Sequence, residues 1–324
     1  MGRKIIALVE GGFSHEEQVS LKSATNVYQQ LNHDLFEVFR IRINKDGWNA
    51  HLDDRIIPVD KNDFSIQTGS RKINFDAVFM MIHGTPGEDG KLQAYFEMLD
   101  IPVTTGNSLA AALSFSKYAC NKYLQAHGIP IAKSKLLLSI SDFNQMDVLQ
   151  EIGLPCFVKP NDGGSSFGTT KVSVAEKLKE AVELAFQHGK EVLVEAFLAG
   201  KEVTNGVYKD KNGLHVLPIT EIKTDNEFFD FNAKYMGQSQ EITPADLPEQ
   251  LTKQIQQTTL QVYRYLNLRG IARVDYIITE KGAVLLEVNT VPGQSVASII
   301  PQQAKVAGIQ ISELYQAVLE DCFR

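Results

Sequence analysis

Short apolar runs separated by amphipathic stretches dominate the first hundred residues of this 324-residue chain. Ile5 to Val9, Glu37 to Ile41 and Phe75 to Ile82 predict strands, and a helix beginning near His15 separates the first two. That alternation predicts a parallel α/β layer. Ser14 followed three residues later by Glu17 reads as a capping box, with Val19, Val27 and Leu31 behind it, which places Glu16 in an exposed first turn. Beyond a boundary near residue 105 come a helix from Ser108 to Ala126 and strands at Lys133 to Leu138 and Cys156 to Lys159. The helix Val174 to His188 then leads into the strand Glu191 to Phe197. From there the period changes to hairpins, Val203 to Tyr208 with His215 to Ile222, reversed at Asp210-Lys211-Asn212-Gly213. Thr224 to Leu247 is long and polar with no clean period, and reads as a lid. An amphipathic helix Glu249 to Leu268, a hairpin Ile271 to Asn289 and a last helix after Ser312 complete the chain. The expected organisation is an N-terminal unit 1–105, a central unit 106–193 and a C-terminal unit 194–324 with its lid at about 224–247.

The last hairpin concentrates charge. If Glu280-Lys281-Gly282 forms a three-residue loop, Asp275 opposes Glu287 and Arg273 opposes Asn289, all four on one face. Val274, Tyr276, Val284, Leu286 and Val288 then form the apolar face. Two opposed carboxylates repel, so either a cation lies between them or one is protonated. The oxygen donors Asp275, Glu287 and Asn289 suit magnesium or manganese. The plainer alternative is that Arg273 pairs with both acids on a solvated face.

Composition narrows the class. With 44% apolar and 22% charged residues the chain reads as globular, and a net charge of -7 does not suggest the basic surface a nucleic-acid partner requires. No apolar run approaches transmembrane length, and the N-terminal run is too short for a signal peptide, so no membrane partner is expected. Cys120, Cys156 and Cys322 are too scattered for a disulfide framework or a zinc site.

Two glycine-rich loops add chemistry. Phe157 to Gly168, with three glycines and the hydroxyls of Ser165 and Ser166, can wrap a phosphate with backbone N–H groups. It matches neither the Walker pattern nor a dinucleotide fingerprint. Lys159 at the end of an apolar strand calls for an anionic partner, whereas Lys117 on a helix face is uninformative by itself. Glu195 interrupts an apolar run, either to bind a polar ligand or to mark a sheet edge. His83 opens the second loop at the C-terminal end of a strand, where open α/β sheets gather ligands, and the Glu16 loop leaves a neighbouring strand.

Taken together, GGFSHEEQVSLKSA, HGTPGEDGKLQ, VKPNDGGSSFG, AKY, ARVDY and LLEVNTVPG resemble the D-alanine:D-alanine ligases of the ATP-grasp superfamily, in the same order and across essentially the whole chain. The resemblance implies an N-terminal α/β (pre-ATP-grasp) domain followed by central and C-terminal domains that sandwich ATP. It implies that Lys117 and Lys159 hold ATP's phosphates, that Glu195, Ala196, Phe197 and Leu198 line its adenine, and that Glu202 meets its ribose. Ser165, Ser166 and Phe228 belong to the same nucleotide site. Asp275, Glu287 and Asn289 would hold two Mg2+ or Mn2+ ions. Glu16 and His83 would hold the first D-alanine, Arg273 and the Gly293 backbone the oxyanion, Lys234 the transferring phosphate, and Ser298 with Ile299 the second D-alanine. Ser165 and Tyr235 would close the site towards Glu16, and Tyr235 resembles the dipeptide-forming members.

The sequence departs from the family at Ala196, Gln294 and Ala297. The implied setting is a cytoplasmic homodimer supplying peptidoglycan precursors. Three rivals remain: a ligase that uses D-lactate, D-serine or another acceptor, a silent nucleotide-binding protein, and a nicotinamide-dependent dehydrogenase.

Overall fold

The computed structural model describes residues 2–164, 166–224 and 239–323, and it arranges their strands in three sheets. The N-terminal sheet contains β1 (Lys4–Gly11), β2 (Phe36–Asn44), β3 (Gly47–Leu52), β4 (Arg55–Asp60), β5 (Ser65–Thr68), β6 (Arg71–Ile73) and β7 (Ala77–Met80), in the order β6-β5-β4-β3-β2-β1-β7. Its β2-β1-β7 core is parallel, as the apolar runs predict. The strands β3 to β6 extend it as an antiparallel meander. Their half-polar faces carry little apolar signal, and the first reversal is made by the Asn44 side chain, which accepts from Asp46 and Gly47 N–H at 3.1 Å each.

The helix Glu17–Gln30 lies on this sheet, and no capping box forms. Ser14 Oγ accepts the Glu16 N–H at 3.2 Å and donates to the His83 carbonyl at 3.2 Å, joining two loops instead of starting a helix. The buried face of this helix is small and partly polar, with Ser20, Ser23, Ala24, Asn26 and Val27.

Where the pattern predicts one helix over residues 108–126, there are two, Ser108–Phe115 and Lys117–Ala126. Ser116 sits extended between them and its hydroxyl caps the second through the Ala119 N–H. The break puts Lys117 at a helix start.

The central sheet, β8 (Ser134–Leu137), β9 (Cys156–Pro160), β10 (Thr170–Val172) and β11 (Val192–Ala196), is antiparallel in the order β10-β9-β11-β8. The helix Leu178–His188 shares a core with Leu137, Val158 and Val194. Side chains alternate, so Lys159 and Glu195 project from the other face.

The C-terminal sheet runs β14-β13-β12-β15-β16, formed by β12 (Lys201–Asp210), β13 (Gly213–Thr224), β14 (Ser239–Ile242), β15 (Ile271–Thr279) and β16 (Gly282–Asn289). One face packs Val203, Val274, Tyr276 and Val288 against Ile255, Val262 and Tyr263 of the helix Glu249–Tyr265. The other receives the helix Ile299–Val306 through a bulge between Asn205 and Val207. There Gln303 accepts the Gly206 N–H at 3.0 Å and donates to Thr204 O and Thr220 Oγ1 at 3.1 and 3.0 Å. A side chain at Gly206 would bring its Cβ within 2.4 Å of that glutamine oxygen, so the close approach requires glycine.

The pairing Arg273↔Asn289 and Asp275↔Glu287 is as expected, but by a different route. The loop has two residues, with Thr279 opposite Gly282, and an extra residue in β16 restores the register. Beyond that irregularity the alternation flips, so Leu285 is buried and Leu286 is not.

Candidate active site

Alternation along β15 brings Arg273 and Asp275 to the sheet face opposite the Val274–Tyr276 core. Arg273 clasps Asp275 with two bonds, Nε to Oδ1 at 2.9 Å and Nη2 to Oδ2 at 2.8 Å. The Thr204 hydroxyl also donates to Oδ1, and Asn289 Nδ2 donates to Oδ2 at 2.9 Å. With its NH2 group turned inward, Asn289 presents its carbonyl oxygen away from Asp275. Glu287, partly exposed, lies 4.0 Å from the Lys117 ammonium. The oxygens of Asp275, Glu287 and Asn289 therefore fit a hard divalent cation in donor type. Among the described residues no three His, Cys, Asp or Glu side chains gather as a metal cluster, so this set depends on the asparagine.

Lys117 Nζ also donates to the Gly163 carbonyl at 2.6 Å, which joins the helix start to the glycine loop after β9. Asn161, at the head of that loop and 2% exposed, joins them again. Its carbonyl accepts the Lys117 N–H at 3.1 Å, its Oδ1 accepts the Tyr118 N–H at 2.8 Å, and its Nδ2 donates to Ser116 Oγ at 3.0 Å and Glu191 at 2.7 Å.

Lys159 pairs with Glu195 at 2.6 Å, both largely buried, and Asn121 Nδ2 reaches the same carboxylate at 3.5 Å. Glu195 is thus on an inner strand of its sheet and does not mark an edge. Beyond it Ala196, Phe197 and Leu198 are partly exposed, the Phe197 ring stands 6.0 Å from Phe157, and Lys171 lies over it. Glu202, the second residue of β12, lies on the face shared with Thr204 and Asp275.

Glu16 is not in an exposed turn. A Cβ at Gly164 would stand 2.9 Å from both its carboxylate oxygens, and one at Gly84 would stand 3.1 Å from Oε2. Gly84 also has φ +67°, so the turn after His83 favours glycine twice over. The loop ends of the N-terminal and central sheets therefore meet at this carboxylate. His83 is buried with its Nε2 3.4 Å from Ser23 Oγ, and burial holds its imidazole below the usual range, opposed by Glu16.

The loop after β16 closes the cleft. Val291 N–H donates to Glu88 Oε1 at 3.0 Å, and the Gly84 N–H donates to Oε2 at 2.8 Å. Loss of solvent and the Glu16 charge push Glu88 up to about 7. Gly293 follows, and a Cβ there would meet Ser298 Oγ at 2.9 Å. Ser298 precedes the helix Ile299–Val306, its hydroxyl 2.8 Å from Ser295 Oγ, and Ile299 is buried.

One family model, D-ala D-ala ligase C-terminus, matches residues 123–320, and another, D-ala D-ala ligase N-terminus, matches residues 5–106. This chain belongs to the D-Ala D-Ala ligase family.

Its fold is that of the family's ATP-grasp structures. It is 46% identical over 323 residues to a D-alanine--D-alanine ligase from Bacteroides fragilis, covering 99% of this chain and 100% of that one. Of the solved structures, the VanG D-Ala:D-Ser ligase from Enterococcus faecalis superposes with TM-score 0.89 at 32% identity, over 98% of this chain and 99% of that one. A Bacillus anthracis D-alanine--D-alanine ligase complexed with ATP superposes with TM-score 0.78 at 28% identity, over 98% and 96%.

Against the ligase family pattern, Ser165, Phe228, Lys234 and Tyr235 lie outside the described residues, as does most of the expected lid. Glu88, Asn161, Thr204 and Gln303 are site-building residues that sequence reasoning missed. Only Glu88 carried a signal, as an acid inside the HGTPGEDG loop. The three cysteines are free, and burial pushes their thiols up to about 11 to 12. No helix among the described residues is long and apolar enough to cross a membrane.

Proposed function

We propose that this chain joins two D-alanines into D-alanyl-D-alanine with ATP, forming ADP and phosphate through an acylphosphate, in peptidoglycan precursor synthesis. The observation that carries the reading is the end-to-end likeness to D-alanine--D-alanine ligases together with one cleft lined by Lys117, Arg273, Asp275, Glu287 and Asn289.

In this reading Lys117 and Lys159 hold ATP's phosphates, with Ser165 and Ser166 in the glycine loop. Glu195, Ala196, Phe197, Leu198 and Phe228 receive the adenine, and Glu202 the ribose. Asp275, Glu287 and Asn289 would hold magnesium or manganese, which when bound offsets negative charge on the phosphate oxygens. Glu16 pairs with the ammonium of the first D-alanine beside His83, leaving its carboxylate to accept the γ-phosphoryl group near Lys234.

The amine of the second D-alanine, oriented through its carboxylate by Ser298 and packed on Ile299, attacks that carbonyl. It loses a proton as phosphate leaves. Negative charge on the tetrahedral oxygen falls to Arg273 and the Gly293 N–H, which are fixed before the reaction begins. Ser165 and Tyr235 would close over Glu16, because water competes with the amine for an acylphosphate. The protein would act as a cytoplasmic homodimer.

Incubation with ATP, magnesium and D-alanine, followed by detection of ADP and the dipeptide, tests the reading. Competing D-lactate and D-serine test the acceptor. If either displaced D-alanine near neutral pH, the assignment of the second substrate would fail.

A further inference from the structure

The loop Thr290–Gln294 is pinned at four backbone groups. Glu88 takes the Val291 N–H at 3.0 Å, and Ser23 Oγ takes the Gln294 N–H at 3.1 Å. Asn26 Nδ2 donates to the Gln294 carbonyl at 2.7 Å. Gln294 itself is fully buried, and its amide turns back on its own loop. Nε2 donates to the Pro292 carbonyl at 3.2 Å, and Oε1 accepts the Tyr315 hydroxyl at 3.0 Å. Asn26 Nδ2 stands 3.5 Å from that hydroxyl, so the bonds run in one direction, from Asn26 to Tyr315 to Gln294 to Pro292. The direction fixes which end of the amide faces Pro292, since a carbonyl can only accept.

Pro292 O and the Gly293 N–H belong to one peptide unit, and in a trans peptide they point opposite ways. Tethering the carbonyl to a buried amide therefore turns the N–H away from the core. Among the described residues no acceptor takes that N–H. We propose that Gln294 is a positioning residue whose amide holds the Pro292–Gly293 peptide so that the Gly293 N–H faces the reacting carbonyl. This rests on the ligase reading above, in which Gly293 meets the oxyanion. An N–H fixed in advance favours the tetrahedral species over the planar substrate, because aim matters most where charge develops.

The test compares wild type with Gln294→Leu, which keeps the bulk and removes the donor. The probe is a phosphinate dipeptide that mimics the tetrahedral adduct. The expected result is a loss of about tenfold in kcat and in phosphinate affinity, below the ~10²–10³ of deleting a donor outright, with ATP affinity within twofold of wild type. An equal fall in ATP and phosphinate affinity would indicate general loosening and overturn the proposal, as would an unchanged phosphinate affinity. If Gln294→Leu does not fold, Tyr315→Phe removes the bond to Oε1 together with the longer one from Asn26, and leaves the Gln294 donor in place. A twofold to threefold phosphinate loss is then expected, and none would overturn the idea. A wild-type protein that makes no dipeptide and ignores the phosphinate would sink the ligase reading instead, which keeps the two failures distinct.

Discussion

Two carboxylates beside the cleft live under different rules. Asp275, on the β15–β16 hairpin, is met by a full guanidinium from Arg273, a hydroxyl and an amide, all from its own sheet. Glu88, on the seam between the loop after His83 and the loop after β16, is met by two backbone N–H groups and a distant Thr290 hydroxyl. Peptide dipoles carry partial charge, so at Glu88 burial and the neighbouring Glu16 prevail and the carboxyl is held near neutrality. Asp275 instead has a formal positive charge bonded to it at two points. The hairpin is thus a self-contained electrostatic unit, whereas the seam depends on two distant parts of the chain being in contact.

The strongest way to break this comparison is Asp275→Ala. Removing the acid deletes the bonds that Arg273, Thr204 and Asn289 make to it, and ADP formation should fall by about 10³-fold or more. Near-normal turnover would mean the hairpin is not the chemical centre. Glu88 offers the next largest effect. Its folded-state value lies above the ordinary 4.5, so the native state holds the proton more tightly than the unfolded chain. Stability should therefore be greatest at low pH as far as this group is concerned, decline as pH rises from about 4.5 to about 7, and level off above. The decline has an upper bound of about 3 kcal/mol. Chemical denaturation of wild type and Glu88→Gln across that range checks it, and parallel curves would remove Glu88 as the cause.

The hairpin's internal geometry can be sharpened by truncation. Leu285→Ala should cost about 2–3 kcal/mol by emptying a core position, and Leu286→Ala under about 1 kcal/mol. Equal costs would argue against the extra residue in β16. The smallest expected effect is at Asn161→Ala. Loosening the glycine loop from the Lys117 helix should raise KM for ATP about fivefold, consistent with a net hydrogen bond of about 1 kcal/mol, with KM for D-alanine little changed.

What could be read from the sequence follows the same division. The facing of Arg273, Asp275, Glu287 and Asn289 was legible because strand alternation is local, although the loop length was misjudged and Leu286 was placed in a core that Leu285 occupies. The parallel core β2-β1-β7 was legible from apolar runs, but the meander β3 to β6 was not, since strands with one wet face alternate weakly. Ser116 looked like one more helical residue, because a capping serine differs from a helical one only in what its neighbours bond. Asn161, Gln294 and Gln303 were not legible as site-building residues. A buried amide gives no periodic signal, and its partners can lie far along the chain, 45 positions at Asn161, 97 at Gln303 and 268 from the Asn26 amide to the Gln294 carbonyl.

That distance has a consequence for how the chain is made. Asn26 is buried on the first helix, and its amide partners are Gln294 and Tyr315, 268 and 289 positions later. During synthesis the first helix emerges long before either of them, and domains generally begin folding from the N-terminal side. Until residue 294 has left the ribosome, the Asn26 amide has neither of these partners and must be hydrated on a surface that is dry in the finished enzyme. The loop Thr290–Gln294 thus completes the burial of the oldest part of the nascent chain.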